Sequence, residues 1–272
     1  MSGISSAFPK QQKYLDSPTN LAYTIMSLEL NFIDRLKFHL VHNRKTQLTV
    51  GTALFLLNVI WLGPFLNAGK VSPLYYLLFP FVLSLFQFTS TPLLRGLGIY
   101  RYYSHFLLGY LPGKSKQELH TGTSFDYFLH LKWSDRGVKS RDYIFGELIQ
   151  GLLNLIKEVE EGRLPLELNI VATSYFFSNR SLEKLGFRQT SATLFNRLNV
   201  LLNFLDIFWM YSFSRNKLVF PNLLKVKKIE ILAGELLEEK ETLKQIKRRF
   251  EQKRNRLDLP LTDNSDEVHG KI

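Results

Sequence analysis

The chain contains no cysteine. That excludes disulfide frameworks, thiolate zinc sites, iron–sulfur clusters and cysteine nucleophiles. Acidic residues are in the minority: 24 Asp and Glu stand against 35 Lys and Arg, giving a net charge of +11 over 272 residues. Apolar types make up 45% of the chain, so a collagen-like or wholly disordered polypeptide is excluded. The sequence also lacks a P-loop, a His-Glu-x-x-His motif and a Gly-x-Ser-x-Gly motif.

The most informative absence is local. Thr46–Gly69 and Val71–Leu94 are each 24 residues long and carry no charge; Lys70 alone separates them. A helix rises about 1.5 Å per residue and a bilayer core is about 30 Å thick, so roughly 20 residues suffice to cross it. The two windows read as a transmembrane hairpin over 46–94, with spans at about 46–68 and 73–94. Pro64, Pro73 and Pro80 are tolerated in such helices. Asn58 and Gln87 are the polar exceptions; either can bond across the hairpin or be a tolerated single amide. Arg35, Lys37, Arg44 and Lys45 precede the first span, and Arg95, Arg101, Lys114 and Lys116 follow the second. The positive-inside rule then expects an integral membrane protein with both termini cytoplasmic, in the inner or plasma membrane if the source is bacterial. Met1–Lys13 has no apolar core and does not read as a cleaved signal peptide.

The flanks carry their own patterns. Within residues 1–45, Ile25, Leu28, Phe32, Leu36 and Leu40 recur at helical steps, as in an amphipathic juxtamembrane helix. Residues 95–113 are rich in Tyr100, Tyr102, Tyr103, Phe106 and Tyr110, which suit an interfacial aromatic segment.

Residues 114–220 read as a mixed α/β domain. Thr123–Trp133 alternates Phe125, Tyr127, Leu129, Leu131 and Trp133 with polar positions, the period of a strand. Ser140 is placed to cap a helix carrying Ile144, Leu148, Leu152, Leu155 and Val159. Leu166–Thr173 reads as a second strand, Asn179–Leu185 as a short helix stopped by Gly186, and Phe187–Phe195 as a third strand. Thr193–Phe213 is apolar with Arg197 and Asp206 inside it; a helix, or a strand then a helix, packed on the domain or lying in the interface is expected, with a third membrane span as the alternative. His120, Asp126 and His130 form an acid–base or metal candidate, against the simpler reading of a polar strand face.

The stretch Asn179-Arg-Ser-Leu-Glu-Lys-Leu-Gly-Phe187, after a strand and a turn, resembles the last block of the GNAT acetyltransferase superfamily. In that family an Asn begins a short helix and a Gly-Phe pair starts the next strand. The strand–helix–strand order over 123–173 is similar to the family's acyl-CoA-binding core. The resemblance covers about 70 residues and implies acetyl-CoA or a longer acyl-CoA as cofactor. It would be held at Arg136, Gly137, Lys139, Ser140, Arg141 and Asn179, with Tyr175 and Ser174 near the acyl cleft. One departure matters. The family's pyrophosphate turn is Gln/Arg-x-x-Gly-x-Gly/Ala, whereas here Lys139 and Arg141 stand where glycines are expected. Side-chain cations can hold a phosphate, but the close backbone approach that glycine permits is lost.

Residues 221–257 read as a basic amphipathic or coiled-coil helix. Ile229, Leu232, Leu236, Leu243, Ile246 and Phe250 take heptad positions, interrupted by Glu239. Self-association through 224–257 and binding of anionic lipid headgroups are both open to such a helix. Aromatic interleaving is absent there, which argues against nucleic acid. Residues 258–272 are a polar tail. Two functional readings follow: a non-catalytic domain used for membrane-surface scaffolding or partner binding, and an acyl-CoA-dependent acyltransferase acting at the membrane surface.

Overall fold

The computed structural model describes residues 32–110, 115–174, 179–223 and 226–258. Helix α1 (Phe32–His42) is followed by α2 (Arg44–Val71), whose first turn is capped by Asn43: its side chain accepts the Lys45 N–H at 2.9 Å. A 3₁₀ turn at Pro73–Leu78 reverses the chain into α3 (Phe79–Leu97), which Gly98 ends at φ 77°. The chain therefore has two helices long and apolar enough to cross a membrane. Only 17% of each apolar window is buried in the protein, whereas a core helix of a soluble protein would be mostly covered. The two arms touch closely at Gly51 and Leu93, and the Asn58 amide donates to the Thr89 hydroxyl across the hairpin. Residues 1–31, which hold the first part of the expected amphipathic segment, lie outside the described residues, as does the tail beyond Asp258.

Beyond the hairpin lies a six-stranded mixed sheet of order β1-β2-β3-β4-β6-β5. The strands are β1 (Tyr100–Tyr102), β2 (Leu107–Tyr110), β3 (Lys116–Thr121), β4 (Asn169–Ser174), β5 (Arg188–Ser191) and β6 (Lys227–Leu232). The pair β3–β4 is parallel and the other pairings are antiparallel. Parallel neighbours need a crossover, supplied mainly by the long helix α5 (Val138–Glu160), reached through a short helix α4 (Ser124–His130). The expected stripe of α5 is buried: Ile144, Leu148, Leu152, Leu155 and Val159 pack with Ile170 and Ile231 of the sheet. The short helix α6 (Asn179–Glu183) ends at Gly186, φ 74°, as the sequence indicates.

Several expectations are overturned. Thr123–Trp133 is not a strand. Thr123 and Asp126 form a reciprocal capping box that starts α4, and a 3₁₀ turn follows at Trp133–Asp135. Its apolar alternation is also met by a helix, because Phe125 and Leu129 are four apart and both buried. Residues 95–113 are not solely an interfacial anchor, since they supply β1 and β2. The domain accordingly extends past 114–220 on both sides. Residues 221–257 are not one helix. Lys227–Leu232 alternates charge with the buried Ile229 and Ile231 and inserts between β4 and β5. Helices α9 (Ala233–Glu238) and α10 (Lys240–Asp258) follow. Ser140 is not the helix cap: Gly137 is, and Ser140 lies buried in the first turn. The third strand is only Arg188–Ser191, because Thr193 caps a further helix, α7 (Leu194–Leu202). Helix α8 (Phe204–Arg215) then packs on the hairpin, where buried Asp206 accepts from the Ser84 hydroxyl at 2.7 Å. Helix α7 leaves Leu194, Phe195, Leu198, Leu201 and Leu202 exposed.

Candidate functional site

The expected cofactor turn joins the 3₁₀ segment to α5. Arg136 and Lys139 are exposed, and the Arg136 guanidinium lies 5.6 Å from the centre of the Trp133 ring. Gly137 is buried with φ 92°, and its N–H donates to the Phe213 carbonyl at 2.9 Å. A Cβ on Gly137 would stand 3.1 Å from the Asn216 Cβ. The Ser140 hydroxyl turns back to donate to the Gly137 carbonyl at 3.0 Å. Arg141 Nε lies 3.6 Å from Asp142, whose other carboxylate oxygen meets Lys253 at 2.7 Å. The start of α5 is therefore covered by the C-terminal end of α8. A carbonyl at a helix C-terminus carries partial negative charge, so it complements electrostatically the positive start of α5. Asn179 begins α6 and accepts from Lys227 of β6. Among the described residues no hydrogen bond or ion pair joins Asn179 to the 136–141 turn. Tyr175 lies outside the described residues.

The central parallel pair parts at one end. β3 and β4 are in register from Lys116↔Asn169 to Leu119↔Ala172. Beyond that, His120 and Thr121 pair only with β2, at Leu108 and Leu107, while Thr173 and Ser174 pair only with β6, at Lys228 and Lys227. The two strands thus follow different neighbours at their C-terminal ends, the end where α/β sheets open a crevice.

The acid–base candidates are divided between two places. His120 on β3 sits against the Tyr110 ring at 4.7 Å and 3.7 Å from Glu118; burial holds its imidazole below the ordinary range, partly offset by Glu118. Asp126 and His130 sit instead on α4, at the junction with the hairpin. The wholly buried Asp126 accepts the Thr123 N–H at 2.7 Å, the Thr123 hydroxyl at 2.8 Å and the Tyr102 phenol at 2.9 Å. Burial raises its carboxyl pKa, against the opposing pull of Arg95 and these hydrogen bonds. Arg95 stands 4.4 Å above the Tyr102 ring. The His130 ring stacks on His105 at 4.1 Å, and His105 Nδ1 is 3.1 Å from the Tyr143 hydroxyl and 3.5 Å from Glu147. Burial first, then His105 and Arg95, push His130 down to about 2. Sequence reading missed Arg95, Tyr102 and His105 as members of this cluster because they lie on the second hairpin helix, a short strand and the turn after it. The cluster is enclosed and its charges are paired, so it ties two parts of the protein together more readily than it meets a substrate. Among the described residues, no three His, Asp or Glu side chains gather as a metal site.

A cavity of about 330 Å³ opens beside this junction, lined by Phe88, Tyr127, Phe128, Leu131, Trp133, Trp209 and Phe213 together with Ser124 and Lys37. Comparison of the chain with protein-family models, curated proteins and solved structures finds no match.

Proposed function

We propose that this is a membrane protein whose cytoplasmic α/β domain has a GNAT-like frame but no acyl-CoA activity, and that it serves as a scaffold at the membrane surface. The observation that carries this reading is the closure of the Gly137 turn by the Phe213 carbonyl and Asn216. A diphosphate needs the free backbone donors of that helix start. Here one of them, the Gly137 N–H, is spent on α8, and the glycines that let a ligand approach are replaced by Lys139 and Arg141. The membrane part of the reading is supported by the hairpin, by the basic residues flanking it, and by the exposed apolar face of α7 beside the hairpin-packed α8.

The acyltransferase reading draws on the parting of β3 and β4, which resembles the opening through which the family admits its acyl-CoA. Calorimetric titration of the full chain in detergent with acetyl-CoA and a long-chain acyl-CoA separates the two. The scaffold reading expects no binding tighter than the millimolar range. Micromolar binding that is weakened by replacing Arg136 and Lys139 with Ala would overturn it in favour of the enzyme.

A further inference from the structure

We infer that the aromatic cavity between α1, α3, α4 and α8 binds one acyl chain of an anionic phospholipid from the leaflet that faces the domain. Its walls offer little for a polar ligand. The Trp209 indole N–H is already given to the Ser124 hydroxyl at 3.0 Å, Ser124 in turn donates to Asp206, and the Tyr127 hydroxyl is engaged by Ser214. What remains are ring faces and edges: Phe88 meets Phe128 at 6.0 Å, Tyr127 meets Trp209 at 5.6 Å, and Trp133 meets Phe213 at 5.6 Å. At about 330 Å³ the cavity is at the small end of ligand sites, roughly 300–1,000 Å³. It is too small for a partner helix and suited to a single flexible chain.

Two features identify the occupant. The first is continuity with the lipid-facing surface. Phe88 lies on α3 one turn from Leu85, which is 49% exposed, and about two turns from Arg95 at the cytoplasmic end. A chain in the bilayer reaches the cavity without crossing water. The second is charge. Lys37 holds its ammonium 4.4 Å from the Phe128 ring and has no carboxylate partner among the described residues. A phosphate at the headgroup level completes that ammonium while its acyl chain fills the aromatic walls. The inference needs the hairpin to lie in lipid but is independent of whether the domain is catalytic.

The chain has three tryptophans, Trp61 in the hairpin and Trp133 and Trp209 at the cavity. The full-length Trp61→Phe protein is reconstituted in phosphatidylcholine vesicles holding a minor fraction of lipid brominated on its acyl chains, either phosphatidylglycerol or phosphatidylcholine. Brominated phosphatidylglycerol is expected to quench the fluorescence more than brominated phosphatidylcholine at equal fraction. Lys37→Glu is expected to lower that preference about fivefold, the equivalent of roughly 1 kcal/mol for one basic group at an anionic surface. Leu131→Phe, which adds bulk to the wall, is expected to reduce quenching by both lipids. Equal quenching by the two lipids, untouched by Lys37→Glu, means incidental boundary contact and overturns the inference. So does an absence of quenching, as when a second copy or a partner protein covers the cavity. Trp133→Phe/Trp209→Phe, in which Trp61 alone reports, keeps these outcomes distinct: its quenching shows the hairpin in lipid whatever the cavity does.

Discussion

The guanidinium of Arg95, in the last turn of the second hairpin helix α3, lies 3.8 Å from the carboxylate of Asp126, in the first helix after β3. Both side chains are almost wholly buried, at 4% and 0% exposure. This contact couples the hairpin to the sheet domain, and Tyr102 touches both groups, as hydrogen-bond donor to Asp126 and ring partner to Arg95. Removing one member leaves a buried charge without its counterpart, which costs about 3–5 kcal/mol. Arg95→Met and Asp126→Asn should each destabilise the protein by about that much in denaturant titrations of the detergent-solubilised chain. The double variant should lose clearly less than the sum. Strict additivity would show that the two groups do not interact.

Acid should weaken the same junction. His130 is held down to about 2 by burial, then by His105 and Arg95, with His42 and Lys37 adding to the effect. In an unfolded chain an imidazole titrates near 6.5. The folded state keeps His130 neutral, so its contribution is fully present above about pH 6.5 and declines as pH falls toward the folded value, by about 1.4 kcal/mol per pH unit. His105 and His120 are also lowered by burial and act in the same direction. Asp126 acts the other way, because burial raises its carboxyl pKa and protonation then favours the folded state. Between about pH 7.5 and 5.5 His130 alone should lower the unfolding free energy by about 1.4 kcal/mol, read as the difference between the wild-type and His130→Phe profiles. His130→Phe keeps a ring on His105 and removes the proton site; its pH profile should be flatter. A profile as steep as that of the wild type would place the acid sensitivity elsewhere.

The sequence made some of this plain and hid the rest for physical reasons. The hairpin was legible because two 24-residue windows without charge have few other uses, and the long crossover helix because its apolar positions repeat at helical spacing over about four turns. Gly186 was legible as a helix stop because its left-handed backbone suits glycine. Strands β1 and β2 are three and four residues long, too short to show a period among tyrosines already explained by an interface. Thr123–Trp133 has the strand period, but Thr123 and Asp126 cap each other's backbone and the local bonds win. Ile229 and Leu232 were counted into a heptad, whereas Ile229 and Ile231 are the pair that fits the sheet. Asp126, expected on a strand face, lies on α4, where it caps the helix and pairs with Arg95. Its partner Arg95 lies 31 positions away, and no local pattern joins the two.

Close approach of the two hairpin helices makes a specific demand at one glycine. A Cβ on Gly51 would fall 2.3 Å from the backbone nitrogen of Leu93, and a helix backbone cannot yield as a side chain can. Gly51→Val should force the arms apart and cost about 1–3 kcal/mol, with Gly51→Ala costing less. Gly63 on the same helix has nothing within 4 Å of its added Cβ. Gly63→Ala should be neutral or stabilising by about 0.5–1 kcal/mol, because only the conformational freedom of glycine is lost. Unfolding of both variants in denaturing detergent checks the contrast. Equal effects at the two positions would mean that the arms do not touch at Gly51.

The apolar stripe of the basic helix is used inside the protein. Leu236 and Leu243 are completely buried, Ile246 packs on the core, and the Phe250 ring stacks on Phe145 of α5 at 6.0 Å. Ion pairs flank this seam: Lys253 meets Asp142, and Lys240 meets Glu160. The Lys240–Glu160 pair is part-exposed and contributes little, whereas the Asp142 carboxylate is buried beneath Lys253, so the leucines and that one pair carry the docking. Leu243→Ala should therefore cost about 2–5 kcal/mol of stability, as a buried leucine truncated to a cavity does. The mass of the detergent-solubilised protein in light scattering should stay as in the wild type. A stripe used between copies would give the opposite pair of results, a smaller assembly with unchanged unfolding of the protomer. The two measurements together decide whether α10 closes one domain or joins two.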